Sequence, residues 1–301
     1  MDVNIISTGS QGNCVIIDNC IMLDAGVTKK KITDTGYDFD NLKMLFVSHK
    51  HADHANMPLI RYCITKEHDV IHLLDSGHKV KKPEPQYQVF LPNDVYQMFR
   101  QKELDRKVDP IDVTYMPRNI HLHDKGKVYH LETDEASYTI SLHPQKHHDI
   151  VNYGFVIEKQ VNDETERLLY VTDLDTIEPT AVGPGLTSLG MFDIIVMEGN
   201  YDENWLRDYI TQTMDILDPT IDASTLTDKE LDQYVRANYR KIPKEMSAGL
   251  FRAVQNMRHL SKQQARAYVK QHLNPGGQYY EVHRSSMFYE RPLDWTALLN
   301  S

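Results

Sequence analysis

The chain has 301 residues, 41% of them hydrophobic, and a formal net charge of −10. That composition supports a substantial core, and the charge argues against broad non-specific nucleic-acid binding, which needs a field of clustered Lys and Arg, though not against a local basic patch. No apolar run approaches the ~20 residues that span a bilayer. The start, Met1 to Ile6, lacks the basic and apolar regions of a signal peptide, and Cys14, Cys20 and Cys63 show no C-x-x-C pairing, so a cytoplasmic protein with reduced thiols and no membrane partner is expected.

In chain order, Val3 to Ser7 is β-rich, a turn over 8–13 follows, and Cys14 to Asp18 and Ile21 to Leu23 are short apolar runs. Met44 to Val47 reads as a buried strand that ends directly at Ser48-His49, and a helix is predicted over Met57 to Lys66. The stretch 68–135 is less legible, with an exposed loop expected at Lys79 to Pro85 and a short helix at Asn93 to Leu104. Strands are predicted at Tyr138–Leu142, Tyr153–Ile157, Leu168–Val171 and Ile194–Met197. The last third is helical in pattern. Thr227 with Glu230 and Ser261 with Gln264 fit the capping box that opens a helix, and a β-like Tyr279 to Val282 leads into His283. No repeat of fixed period appears. The order of strands and helices fits a layered α/β sandwich.

The 15 histidines are where the chemistry is to be sought. His49, His51, Asp53 and His54 form H-x-H-x-D-H straight after a buried strand, a density of imidazole and carboxylate suited to zinc, manganese or iron. A His-rich surface loop is the bland alternative. One loop cannot fill two metal sites, and later strand ends offer more donors. They are His148 (with His147 as the alternative), Asp173 after Leu168–Val171, and His283. Read singly, Asp173 is a turn residue and His283 a structural histidine. His259, just before the capped helix, could hydrogen-bond a phosphate or protonate a leaving group; alone it would be a surface histidine. The turn Ser7 to Asn13 could approach a phosphate or be an ordinary hairpin turn.

H-x-H-x-D-H at a strand end resembles the signature of the metallo-β-lactamase superfamily, which implies an αββα sandwich. Here that would be a single domain over 1–301 with insertions near 68–135 and 203–255 that shape a substrate cleft or a homodimer contact. The resemblance makes Asp24, in Met22-Leu23-Asp24-Ala25-Gly26, a buttress of the metal loop that does not bind metal. His147-His148-Asp149 before Gly154-Phe155 resembles the family's third motif, and Glu281-Val282-His283 the last metal motif of the ribonuclease Z branch. His259-Leu260-Ser261, Met197-Glu198-Gly199-Asn200-Tyr201-Asp202 and the 7–13 turn resemble motifs of the YycJ/WalJ-like group, with Tyr201 where that group often has histidine. Glu198 and Asn200 are therefore expected to support the ligands without binding metal. The glycine that often follows the metal loop is replaced by Ala55-Asn56-Met57-Pro58.

By this resemblance two divalent ions, zinc or manganese, are held by His49, His51 and His148 and by Asp53, His54 and His283, with Asp173 bridging. Asp53 orients the attacking water, and His259 aids the leaving oxygen. The implied activity is a phosphodiesterase acting on nucleic acid. The alternative is a phosphodiesterase of small cyclic nucleotides, the chemistry by which phage enzymes of this fold remove defence signals.

Overall fold

A computed structural model describes residues 1–65, 87–107, 110, 113, 116–123, 127–238 and 240–292. The expected loop at Lys79 to Pro85 lies outside them. The chain divides into two compact units: unit 1 is Met1–Pro144 with Val151–Tyr170, and unit 2 is Gln145–Ile150 with Val171–Ser301. No described helix is long and apolar enough to cross a membrane.

Unit 1 opens with an antiparallel meander of β1 (Val3–Ser7), β2 (Cys14–Ile17) and β3 (Ile21–Leu23). The sheet continues in parallel through β4 (Met44–Phe46), β5 (Gln88–Leu91) and β6 (Ile120–Leu122). Parallel neighbours need crossovers. These contain α1 (Lys29–Thr33), α2 (Met57–Thr65) and α3 (Asn93–Leu104). Helix α2 buries Met57, Ile60 and Ile64 on one stripe and Leu59 and Cys63 beside it, the spacing that turns an apolar face to a sheet.

A second sheet carries the strand run β10-β9-β8-β7, formed by Val128–Glu132 (β7), Ser137–His147 (β8), Ile150–Val161 (β9) and Glu164–Val171 (β10). Side-chain alternation sorts the layers. Leu45, Val47, Val89 and Leu91 cluster with Ile60, Cys63, Val95 and Phe99 on the helix side. Phe46 and Phe90, one residue out of phase, stack at 4.3 Å. The Phe46 ring also lies 5.8 Å from Tyr129 and 5.5 Å from Phe155 of the second sheet. Helices thus cover one face of the first sheet and the second sheet covers the other. Truncating Phe46 to Ala would cost roughly 3–5 kcal/mol.

In unit 2, β11 (Phe192–Glu198) runs parallel to β12 (Leu273–Val282). Between them come α4 (Glu203–Leu217), α5 (Asp228–Asn238), α6 (Lys244–Asn256) and α7 (Lys262–His272). Asp202 caps α4 by accepting from Trp205 N. Both sequence-marked capping boxes form: Thr227 with Glu230, and Ser261 with Gln264. The 203–255 stretch is a helical cluster packed around Trp205, Tyr209 and Phe288.

Candidate metal centre

The His loop of unit 1 leaves β4 and doubles back, with His54 N and Ala55 N both donating to the His51 carbonyl. That tight turn gathers the rings. His49 Nε2 lies 3.0 Å from His51 Nδ1, and the His49 and His54 ring centres are 4.2 Å apart. His49 and His54 are fully buried. Ser48 Oγ stands 3.0 Å from His49 Nδ1, so the Nδ1 side is held and Nε2 is presented.

Asp24 anchors the loop from beneath. Its buried carboxylate accepts from Ser48 N at 2.7 Å and Tyr170 OH at 2.7 Å, and lies 2.8 Å from His54 Nδ1. A carboxylate on Nδ1 fixes ring and tautomer and leaves Nε2 as donor to a cation. Above it, the Asp53 carbonyl accepts from Asn13 N at 2.6 Å and from Asn13 Nδ2 at 3.2 Å. Asn13 Nδ2 also lies 2.8 Å from His54 Nε2. Gly26 sits so close that a Cβ there would fall 1.7 Å from the Asp53 carbonyl oxygen. The 7–13 turn therefore ends in a clamp on the loop backbone. Asn13, Gly26, Ser48 and Tyr170 were not recognised from sequence as supports of this loop. Their signal was weak, because each is an ordinary turn, strand or strand-end residue.

Unit 2 gathers a second set. Ligand atoms of Asp173, Glu198, His259 and His283 lie within 4.8 Å of one another. Asp173 Oδ1 is 3.2 Å from His259 Nδ1 and 3.3 Å from His283 Nε2. Glu198, fully buried at the end of β11, accepts from Leu174 N and Leu260 N through Oε1, while Oε2 is 3.0 Å from His259 Nδ1. Asn200 Nδ2 donates to the His283 carbonyl at 2.8 Å and lies 3.1 Å from His283 Nδ1. Burial alone would lower the His259 imidazole, but Glu198 and Asp173 beside it hold it up to about 10.

His147, His148 and Asp175 form a neighbouring group in the same unit. The Asp175 carboxylate accepts from His148 N at 2.9 Å. His147 is the deeper imidazole: its side chain is 2% exposed against 26% for His148, and its ring is 5.2 Å from His259 against 6.2 Å. Asp24, His148, Asp173 and His283 all take positive φ, between 54° and 62°. Non-glycine residues adopt that region rarely and at a cost of about 1–3 kcal/mol, and such strain collects at functional sites. Here it falls at strand ends and re-aims the side chain that follows each buried run.

The donor sets suit divalent ions. Two buried carboxylates as close as Asp173 and Glu198 need positive charge beside them; His259 supplies one such charge, and the remaining carboxylate oxygens and His283 offer donors to a divalent ion. Imidazole nitrogens converging as His49 and His51 do are typical of zinc, manganese or iron sites.

Residues 17–237 match the family described as the beta-lactamase superfamily domain, well over half of the chain. The chain belongs to this superfamily. A comparison with curated protein sequences gives no match. Among solved structures, this β-lactamase superfamily member is similar to a long-form RNase Z from yeast, at 13% identity and TM-score 0.50, over 97% of this chain and 39% of that one. It is similar also to the short form of human tRNase Z, at 12% identity and TM-score 0.49, over 97% of this chain and 100% of that one. Unliganded yeast PDE1 follows at 8% identity and TM-score 0.41, over 67% and 75% of the two chains. At these identities the likeness concerns fold. With the family match, it makes the mixed α/β architecture a metallo-β-lactamase fold, as the H-x-H-x-D-H motif implied.

Proposed function

We propose that the protein is a binuclear metal-dependent phosphodiesterase whose substrate is nucleic acid. Its ions would be held by His49, His51, Asp53 and His54 of unit 1 and by His148, Asp173 and His283 of unit 2; the depth of His147 makes it the competing third-motif ligand. The observation that carries the reading is the unit 2 group, where Asp173 stands within 3.3 Å of both His259 and His283 over a buried Glu198. Motifs at 7–13, 197–202 and 259–261 support a place near the YycJ/WalJ-like, ribonuclease Z-related branch.

Bound divalent ions would polarise a phosphoryl oxygen and lower the pKa of water. The protein's own groups do the rest. Asp24 sets the His54 tautomer, and Asp53, partly exposed on the loop, would orient a water. His259 directs Nδ1 at two carboxylates, which leaves Nε2 as the proton donor to a departing oxygen. Glu198 and Asn200 hold His259 and His283 in place.

The test is a parallel assay of labelled DNA, RNA, cyclic mononucleotides and bis(p-nitrophenyl) phosphate, with zinc or manganese, against His51→Ala. The reading requires hydrolysis of a polynucleotide that His51→Ala abolishes. Full activity in a folded His51→Ala or Asp173→Ala variant sinks it. The chain's net charge of −10 favours the second reading, a small cyclic nucleotide, for which salt should matter little.

A further inference from the structure

The −10 charge is unevenly spread. Residues 252–292 contain seven Lys and Arg (Arg252, Arg258, Lys262, Arg266, Lys270, Arg284, Arg291) and two acids, Glu281 and Glu290, a local +5, so the rest of the chain carries −15. Such asymmetry is a sign of a polyanion-binding face. This same segment supplies His259 and His283.

The cations are arranged in unit 2 as a strip. Lys262, Arg266 and Lys270 lie four residues apart along α7, hence on one face. Arg266, Lys270 and Arg284 are exposed. The Tyr289 ring gathers the near end, with Lys262 Nζ 5.2 Å and the Arg284 guanidinium 4.7 Å from its centroid. Glu281 accepts from Arg266 Nε at 2.9 Å and from Tyr289 OH, and Asp202 lies 2.7 Å from Lys262 Nζ. Four cations against these two carboxylates leave the strip net positive.

Its position is the informative part. Lys262 stands just after His259-Leu260-Ser261, and Arg284 directly after His283. The strip therefore starts beside the two histidines and runs outward along the helix for about 12 Å from Lys262 to Lys270 at ~1.5 Å per residue. That is room for roughly three nucleotides at the ~3.4 Å rise of one duplex strand. An aromatic ring flanked by Arg and Lys adds a surface on which a base can stack.

We propose that the Lys262–Arg266–Lys270 face of α7, with Arg284 and Tyr289, is the docking track for the nucleic-acid strand that flanks the bond to be cut. The inference rests on the phosphodiesterase reading and adds the substrate class and the binding face. It reconciles an acidic chain with a polyanionic substrate: repulsion from the rest of the surface would confine the strand to this strip.

The experiment measures binding of fluorescein-labelled 20-nucleotide single-stranded DNA and RNA, and a DNA duplex, by anisotropy as a function of salt in EDTA. Wild type is compared with Lys270→Ala, Arg284→Ala, the double variant, and Lys270→Arg as the charge-keeping control. Each lost cation should raise Kd several-fold and reduce the log–log salt slope by about 0.7 for single strands or about 0.9 for duplex. Lys270→Arg should behave as wild type. Lys270→Ala should hydrolyse bis(p-nitrophenyl) phosphate at the wild-type rate. Unchanged slopes in folded variants overturn the track. So does binding to vesicles containing 30% phosphatidylserine without binding to the oligonucleotides. A wild type that leaves bis(p-nitrophenyl) phosphate and every oligonucleotide intact defeats the enzymatic reading instead, while the slopes still report on the strip.

Discussion

At the scale of single residues, the supports of the His loop make the sharpest predictions. Gly26→Ala would drive a methyl group into the Asp53 carbonyl, which is backbone and cannot turn away. The loop must then shift, at a cost of about 3 kcal/mol or more, and urea unfolding with metal analysis should show lower stability and lower metal content together. Asp24→Asn would leave the loop's shape but replace an acceptor-only group by an amide beside His54 Nδ1. Chelator competition should then show metal affinity down roughly 10–100-fold with modest loss of stability. His123 offers a pH test that does not involve a proposed ligand. Burial pushes its imidazole down to about 3, an effect the Phe90 main chain offsets only in part. Because the folded-state value lies below the unfolded one, the unfolded chain binds the extra proton between about pH 6.5 and 3. Stability should fall as pH drops through that window, by about 4 kcal/mol at ~1.4 kcal/mol per unit. His123→Phe should flatten that part of the profile in denaturation followed by circular dichroism; an unchanged slope would show that His123 is not the group responsible.

At the scale of elements, what could be read from the sequence depended on whether an apolar run had a chemical full stop. The runs Met44–Val47, Leu168–Val171 and Tyr279–Val282, which lead into His49, Asp173 and His283, were legible as strands, although two of the strands begin earlier, at Glu164 and Leu273. The capped α5 and α7 were visible because their N-termini carry side-chain signals, whereas α3 was read from its length alone and begins after Pro92 with no side-chain cap. Strands β5 and β6 were not. Gln88–Leu91 and Ile120–Leu122 are too short to display a period, and His121 interrupts the second; their pairing with β4 fixes them as strands. Helix α4 was given no bounds of its own within a last third read as helical and in part as an insertion, although Asp202 is a good cap. Asn13 was quoted as the end of a turn, but its clamp on Asp53 depends on a contact forty residues away in sequence, which no local pattern encodes. The capping box of α7 supports a test at this scale. Ser261→Ala should cost about 1 kcal/mol. Asn200 N donates to the Leu260 carbonyl, and Leu260 N donates to Glu198, so the lost cap should also loosen His259. The change should appear more strongly in kcat than in KM, whereas a purely structural effect would leave both unaltered at a temperature where the variant is folded.

At the scale of the whole molecule, the decisive question is whether the gathered imidazoles and carboxylates are matched to cations or only to one another. Unit 2 holds Asp173 and Glu198 buried together with His259 as the positive charge beside both, and unit 1 holds His49 and His51 with facing nitrogens 3.0 Å apart, close enough to share either a proton or an ion. An ion that binds the folded chain and not the unfolded one must therefore stabilise it, by about 2.7 kcal/mol at a hundredfold excess over Kd. For a chain of this length that corresponds to a rise in Tm of roughly 4 °C. Stripping the purified protein with a chelator and titrating back zinc or manganese in a thermal-shift experiment should show this rise, and His51→Ala or Asp173→Ala should reduce it. Magnesium, which prefers oxygen donors and keeps its waters, should give much less. Protein that melts at one temperature with and without every first-row divalent ion would mean that these histidines are paired for structure alone, and the phosphodiesterase reading would lose its basis.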